Sequence, residues 1–559
     1  MRSATLWGLP EVSEALIQRD WDVVMVGAGS AGCVLAERLS RDPGRQVLLL
    51  EAGPADTSPW VHVPKGMGKL FADPNHVHFF QTEPEGAAPA ETWIRGKVLG
   101  GSSSINGMMY FRGQPQDYDG WAQLAGPAWS WANLSQAFHA IENHEQAGRA
   151  DASAGLGTGG PLHISSAPDR SPICEAFIKA GTQLGLQRRP EVTQSDREGV
   201  AYATRTLKQG RRQSAAQAFL RPAMRRANLH VETGVTVDRV LFEGRRAVGV
   251  SARRGDQRLT VRAGSEVILS AGALVSPLIL QRSGIGAAKR LRALGIEVVQ
   301  DSPFVGENLL EHRLLMMEYG LSKPLSQNPE FRGWRLYRNA LRYGLTRQGP
   351  LAAGSYEVAA FARTDPDDPL PDVEILMAPY SLGMNSNGEV ATGAGHGIHL
   401  FGYPLRSRSE GQISIASADP MAAPLIRPNY LSDPYDQAAT VRMFRYIRAW
   451  MRQPALDGLI AAETAPGPGV ESDDEIIAAF RERGQAGYHA CGTCRMGRDD
   501  QAVVDETLRV RGVDGLRVVD GSVMPTMVSC NTNGPIMAIA WRAAELIVER
   551  SSSHAAVAG

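Results

Sequence analysis

Cysteine is scarce in this 559-residue chain: Cys33, Cys174, Cys491, Cys494 and Cys530 are an odd number spread over its whole length. That excludes the dense disulfide framework of a small secreted domain and fits a reducing compartment. Net charge is almost absent too. With 58 Lys+Arg against 59 Asp+Glu and a pI near 6.9, no bulk field draws nucleic acid or anionic lipid. A small molecule is the expected partner. No run approaches the roughly 18 apolar residues of a transmembrane segment. The first 21 residues hold Glu11, Glu14 and Asp20 and no unbroken apolar stretch, so they do not read as a signal peptide. A cytoplasmic location is expected, with peripheral attachment to a membrane left open.

What is present is a large apolar fraction, 43%, enough for an extensive core and for two domains. Residues 21–51 alternate element types: a β-branched run at Val23–Val26, helical spacing from Ser30 to Leu39, a break at "DPG", and a buried run at Val47–Leu50. This predicts a βαβ unit. A glycine- and serine-rich stretch, "RGKVLGGSSSINGMMYFRG", occupies roughly residues 95–113 and has the length of a functional loop. Between 311 and 480 aromatics and prolines accumulate and no glycine fingerprint occurs, which predicts a pocket-shaping domain. The strand-turn-helix texture returns in the tail.

Gly27-Ala28-Gly29-Ser30-Ala31-Gly32 is a GxGxxG placed between the first strand and the helix. Gly27 permits the tight turn, Gly29 lets backbone approach a pyrophosphate, and Gly32 allows close helix-strand packing. The helix N-terminus offers free N–H groups to the phosphates. Glu51 closes the second strand, where a carboxylate can accept ribose hydroxyls and repels a 2′-phosphate, so NADP is disfavoured. A dinucleotide is expected. FAD and NAD are not separated by this motif alone, although a single copy argues against a second, nicotinamide site.

The segment "YHACGTCRMG" (Tyr488–Gly497) combines a histidine with a CxxC. A redox CxxC needs its first cysteine at a helix N-terminus after a strand, and a zinc site needs a second ligand pair; neither context is present. Cys491 and Cys494 are read as small buried hydrophobes, and no metal site is expected.

These stretches combine into a resemblance. "GKVLGGSSSINGMMY", "GALVSPLILQRSGIG", "GENLLEH", "YHACGTCRMG" and "NTNGPIMAIA" are similar, in order, to motifs of the glucose-methanol-choline family of flavin oxidoreductases, with bacterial alcohol and choline dehydrogenases the nearest in pattern. The resemblance implies an α/β fold: a Rossmann-type FAD-binding domain assembled from discontinuous segments (16–310 and 481–552) and an α+β substrate-binding cap (311–480), with parts of about 151–200 joining the cap. It implies FAD as cofactor, with Gly27, Gly29, Ser30, Ala31, Gly32, Glu51 and Ala52 at the ADP moiety. The flavin loop would be Val98, Gly100, Gly101, Ser102, Asn106, Gly107, Met108 and Met109, and further contacts would come from Val235, Ala271, Gly272, Asp520, Gly521, Asn533 and Pro535. Some members attach FAD through a histidine at the position of Ile105. Isoleucine has no nucleophile, so FAD is expected to be non-covalent.

The resemblance places His489 as catalytic base and Asn531 beside it. A neutral imidazole suits proton abstraction near pH 7, whereas an amide can only donate and accept hydrogen bonds. Asn531 rather than Asn533 is chosen from its spacing to the last helix. Of twelve histidines, His489 stands out through its motif, His312 stays ambiguous, and the rest read as structural. Glu311 replaces the family's aspartate before His312 and is expected to affect packing. Glu357 matches a glutamate of choline-type relatives, with a counter-charge role and an ion-pair role both open. The implied reaction is oxidation of a primary alcohol, aromatic or aliphatic, to the aldehyde, with O2 or a quinone as electron acceptor. Choline or polyol oxidation, a hydroxynitrile lyase retaining FAD, and a flavoprotein that only binds a partner are the alternatives.

Overall fold

The computed structural model describes residues 19–558 except 87, 154, 167–169 and 385–389; most of the acidic N-terminal stretch discussed above lies outside the described residues. Along the chain run β1 (Trp21–Val26), α1 (Ser30–Leu39), β2 (Val47–Glu51), α2 (Pro172–Gln183), β3 (Gly199–Tyr202), β4 (Leu229–Thr233), β5 (Thr236–Glu243), β6 (Arg246–Arg254) and β7 (Gln257–Leu269). They are followed by β8 (Arg313–Leu321), α3 (Gly333–Thr346), β9 (Val358–Ala362), β10 (Val373–Ala378), β11 (Gly397–Pro404), α4 (Pro434–Met451), β12 (Ile460–Ala465), α5 (Asp473–Arg483), β13 (Gln485–Ala486), β14 (Leu516–Val518) and α6 (Asn533–Ala558).

The first sheet has the order β4-β2-β1-β7-β6-β5, with β14 beside β7. Its β4, β2, β1, β7 and β14 are mutually parallel. Strands of such a sheet are covered on both faces and read as unbroken apolar runs, as in "VLLL" of β2, where every residue is buried. One long strand carries two roles: Gln257–Arg262 of β7 pairs antiparallel with β6, whereas Glu266–Leu269 lies between β1 and β14. The tail of the chain therefore returns to the βαβ unit, and α6 packs against α1.

The second sheet, β12-β8-β11-β10-β9-β3, is antiparallel throughout. Strand side chains alternate between faces, and β11 makes the consequence plain. Ile398 and Leu400 enter one core with α2, α4 and α5, while Phe401 and Tyr403 enter the other core, shared with the first sheet. The second sheet is thus a wall whose inner face looks toward the dinucleotide-type half. Its edge strand β3 comes from Gly199–Tyr202 and its short β13 from Gln485–Ala486, so the cap sheet draws on chain before and after the 311–480 stretch.

Candidate functional site

The fingerprint loop explains its own glycines. Gly27 has φ +97°, and a Cβ there would lie 2.6 Å from the Ser270 carbonyl; a Cβ on Gly32 would lie 2.0 Å from the Gly27 carbonyl. Gly29 differs, because the nearest protein atom to its Cβ would be 3.9 Å away. Protein packing does not require that glycine; a ligand approaching the backbone would. Gly272 repeats the pattern, with φ +87° and open space where a side chain would point. The glycine-serine loop packs directly onto the fingerprint: Gly100 N–H donates to Ala28 O, and a Cβ on Gly101 would meet Gly29 Cα at 2.7 Å. Ser30, at the N-terminus of α1, donates through Oγ to Asn533 Oδ1 at 2.6 Å at the N-terminus of α6. Two helix N-termini, each with free N–H groups, therefore meet beside Gly29.

Glu51 is buried, and its carboxylate accepts from Ala28 N–H (2.8 Å) and Gly53 N–H (2.9 Å). Burial raises its pKa while these bonds oppose the rise. Each oxygen keeps lone-pair capacity beyond these bonds. Val235 donates its N–H to Glu51 O, and Ala52 is half-buried beside it. Asp520 ties three predicted segments together, accepting from Gly272 N–H, Ser276 Oγ and Ser522 N–H, while Gly492 N–H donates to Gly521 O. Asn106 Oδ1 accepts from Met108 N–H of its own loop and from Arg212 Nη1 outside it, and Met108 adopts φ +66°. Gly107 opens toward Ser355 and Tyr356. Met109 and Pro535 are buried in the first half. Val98 sits with Ile105, Val61, Leu70 and Val77 in a small apolar cluster, and Ser102 is exposed, accepting from Gly96 N–H.

His489 and Asn531 come together, with Asn531 Nδ2 2.9 Å from His489 Nε2. On the other side of the ring, His489 Nδ1 lies 2.9 Å from His312 Nδ1, and His312 Nε2 lies 3.0 Å from Leu405 O. A carbonyl can only accept, so His312 carries its proton on Nε2. Burial depresses the His312 pKa to about 4, so this ring is neutral and presents Nδ1 as an acceptor. His489 must then carry its proton on Nδ1, which leaves a lone pair on Nε2. The Leu405 carbonyl thus fixes the tautomer of His489 from two hydrogen bonds away.

Burial, followed by His312 and Arg95, pushes the His489 pKa well below the usual 6.5. The main chain is held as tightly as the ring. Glu311 Oε1 accepts from His489 N–H (2.7 Å) and His312 N–H (3.0 Å), and Oε2 pairs with Arg95 at 3.4 Å. Glu311 therefore anchors the histidine pair through hydrogen bonds, a stronger involvement than the packing effect expected from sequence. Its own pKa is pushed up to about 7 by burial. Tyr488, immediately before the base, adopts φ +62°, a conformation non-glycine residues hold only when their surroundings impose it.

Tyr403 lies over both rings, 4.5 Å from His312 and 5.5 Å from His489 between centroids. His399 and Phe401 continue the same row of alternate β11 residues, each packed edge-on against Tyr356. Tyr403 and His399 are the members the sequence left out, and His312 is the one it left ambiguous. For His312 the "GENLLEH" motif was a signal; Tyr403 and His399 carried none beyond strand alternation.

Glu357 lies further along this face, buried and paired with Arg205 at 2.6 Å. Lys65 is its neighbour, with Nζ buried, without a hydrogen-bond acceptor, and 4.4 Å from the Tyr380 ring centre. Burial lowers the Lys65 pKa to about 8, which leaves it largely charged at neutral pH. Cys491 and Cys494 are unbridged and fully buried, and burial raises both thiol pKa values.

A dinucleotide-type loop, a buried histidine beside an amide and an antiparallel cap sheet are the parts of an FAD-dependent oxidoreductase acting on CH–OH donors, the class that comparisons with known proteins show. The GMC oxidoreductase N-terminal and C-terminal family models match residues 21–314 and 407–540, and the chain belongs to this family. It is 40% identical to an alcohol dehydrogenase [acceptor] of Pseudomonas putida over 95% of this chain and 96% of that one. It is 38% identical to an oxygen-dependent choline dehydrogenase of Rhizobium etli over 94% and 95%. Among solved structures, pyridoxine 4-oxidase from Mesorbium loti superposes with a TM-score of 0.83 at 31% identity, covering 94% of this chain and 99% of that one. The open backbone at Gly29 and Gly272, the converging helix N-termini and the unpartnered Asn531 Oδ1 fit FAD.

Proposed function

We propose that the protein oxidises a primary alcohol to the aldehyde, with His489 Nε2 as the group that takes the hydroxyl proton. The observation that carries this reading is the Leu405–His312–His489 chain, which leaves a lone pair on Nε2 and a proton on Nδ1. Bound FAD supplies the hydride acceptor at its N5. The remaining work belongs to side chains. In the free site an Asn531 N–H is spent on the His489 lone pair. When an alcohol enters, its O–H replaces that donor at Nε2, and Asn531 becomes free to donate to the substrate oxygen as negative charge develops there. The aromatic face of Tyr356, Phe401 and Tyr403 favours an apolar substrate body. Gly27, Gly29, Ser30, Ala31, Gly32, Glu51 and Ala52 would hold the adenosine diphosphate, and Gly100 to Met109 with Gly272, Asp520 and Asn533 the flavin side. The cofactor is held without a covalent bond, because Ile105 is apolar and buried.

Choline is a poor fit. A cationic headgroup would need a free carboxylate and aromatic faces, but Glu357 is already paired with Arg205, and Lys65 places an ammonium over Tyr380. The local sum of these three groups is positive. The proposed function is tested by mixing the holoenzyme anaerobically with a panel of primary alcohols. Bleaching of the flavin band is expected with at least one of them. A yellow enzyme that instead cleaves hydroxynitriles would identify a lyase, and no turnover or bleaching across the panel would leave a binding protein. An oxygen electrode run beside a quinone-analogue dye assay separates O2 from a quinone as acceptor.

A further inference from the structure

Helix α3 is amphipathic in the reverse sense. Its inward anchors are polar: Asn339 Nδ2 donates to Glu330 O and Oε2, and the Tyr343 hydroxyl donates to Gly210 O. Its outward stripe is apolar, with Trp334, Tyr337, Leu341 and Leu345 at i, i+3, i+7 and i+11 and exposures of 67, 77, 65 and 78%. A helix on a water-facing surface normally presents the opposite pattern. Single exposed apolar residues are ordinary, but four on one helical stripe form a contiguous patch. Arg335, Arg338 and Arg342 lie within the helix and Arg347 just beyond it, and the helix itself contains no acid. Glu330, one turn ahead, pairs with Arg335 and Arg338; Arg342 has no salt-bridge partner among the described residues.

Two occupants could cover such a stripe, a second copy of the chain or a lipid surface. A two-fold contact between copies would bring the same patch onto itself and set arginine rows against each other. An anionic bilayer meets both features at once: headgroup phosphates attract the arginines, and Trp, Tyr and Leu side chains enter the interfacial region. We propose that α3 is an interfacial anchor that seats the enzyme on an anionic membrane. This rests on the helix alone and is independent of the reaction assigned above. Its position in the chain, between Phe331, which lies 5.4 Å from Lys65 Nζ, and the Ser355–Glu357 segment, puts the anchored side next to the substrate half of the site.

The test is co-sedimentation of holoenzyme with vesicles of phosphatidylcholine alone or mixed equally with phosphatidylglycerol. The enzyme is expected to pellet with the mixed vesicles at low salt, to be released by concentrated NaCl, and to stay mostly in solution with phosphatidylcholine. L341D/L345D should lower partitioning at least about 100-fold. R335Q/R342Q should lower it about 10-fold on anionic vesicles only. Both variants should keep bound flavin and dye-linked turnover. Quenching by brominated lipid, read as wild type minus W334F, supplies a second measurement that needs no charged variant. Wild-type enzyme remaining in the supernatant with anionic vesicles at low salt overturns the proposal. So does unchanged partitioning of L341D/L345D, or a solution dimer that this variant splits.

Discussion

Replacing His312 with alanine removes the acceptor for the His489 Nδ1–H without touching the nitrogen that faces the substrate. The buried N–H is then left unpaired, or the ring moves its proton to Nε2 and blunts the base. A lost hydrogen bond together with an unsatisfied buried donor costs about 1–3 kcal/mol, which corresponds to roughly 5- to 150-fold in turnover. Asparagine at the same position can offer Oδ1 where the imidazole offered Nδ1, so H312N should recover most of that loss although its bond to Leu405 is altered. The assay is anaerobic flavin reduction by a saturating alcohol, with flavin content measured separately. The acid limb of kcat/KM should stay below pH 6.5 in the wild type, because burial favours neutral His489 and the base works only when unprotonated. Unchanged reduction in H312A, or a loss that merely follows flavin content, would refute the tautomer argument.

Acid precipitation of the holoenzyme should release all yellow colour into the supernatant; colour in the pellet would contradict non-covalent binding. G32A and G29A should separate folding from cofactor binding. The first forces a Cβ to 2.0 Å from the Gly27 carbonyl and should cost about 2–3 kcal/mol of stability, read as a lower Tm of the apoprotein. The second should leave that Tm nearly unchanged while weakening FAD retention; equal effects on both quantities would sink the distinction. Choline and 3,3-dimethyl-1-butanol share a shape and differ in charge. Wild-type enzyme should favour the neutral alcohol by about 10-fold or more in kcat/KM, K65M should narrow that preference, and K65R should preserve it; a preference for choline in the wild type would refute the charge argument.

The βαβ unit was legible because its signals are local: β-branched runs, a helix of 3.6-residue period and glycines at fixed offsets. Its alternative readings disappear only when the Ser270 carbonyl closes on Gly27 and the Gly27 carbonyl on Gly32, and the first of these contacts joins distant parts of the chain. His489 was legible through its motif, and Asn531 through spacing to α6. The pairing of His312 with His489 was not, since a histidine in sequence gives no hint of its neighbour; it arises because β8 begins where the "YHACG" segment passes, bringing the two Nδ1 atoms within 2.9 Å. Glu357 illustrates the opposite case. Its carboxylate drew attention in sequence, and only the fold supplies Arg205 and Lys65, which change its meaning. The reversed face of α3 was written in "WRLYRNALRYGL", but helical spacing alone cannot say which side of a helix is buried.

If His489 removes the hydroxyl proton as the flavin is reduced, stopped-flow reduction of His489→Ala by alcohol, without oxygen, must expose the loss. The variant should retain FAD and be reduced about 10²- to 10⁴-fold more slowly than the wild type. Reduction at the wild-type rate, with flavin fully bound, would contradict the account.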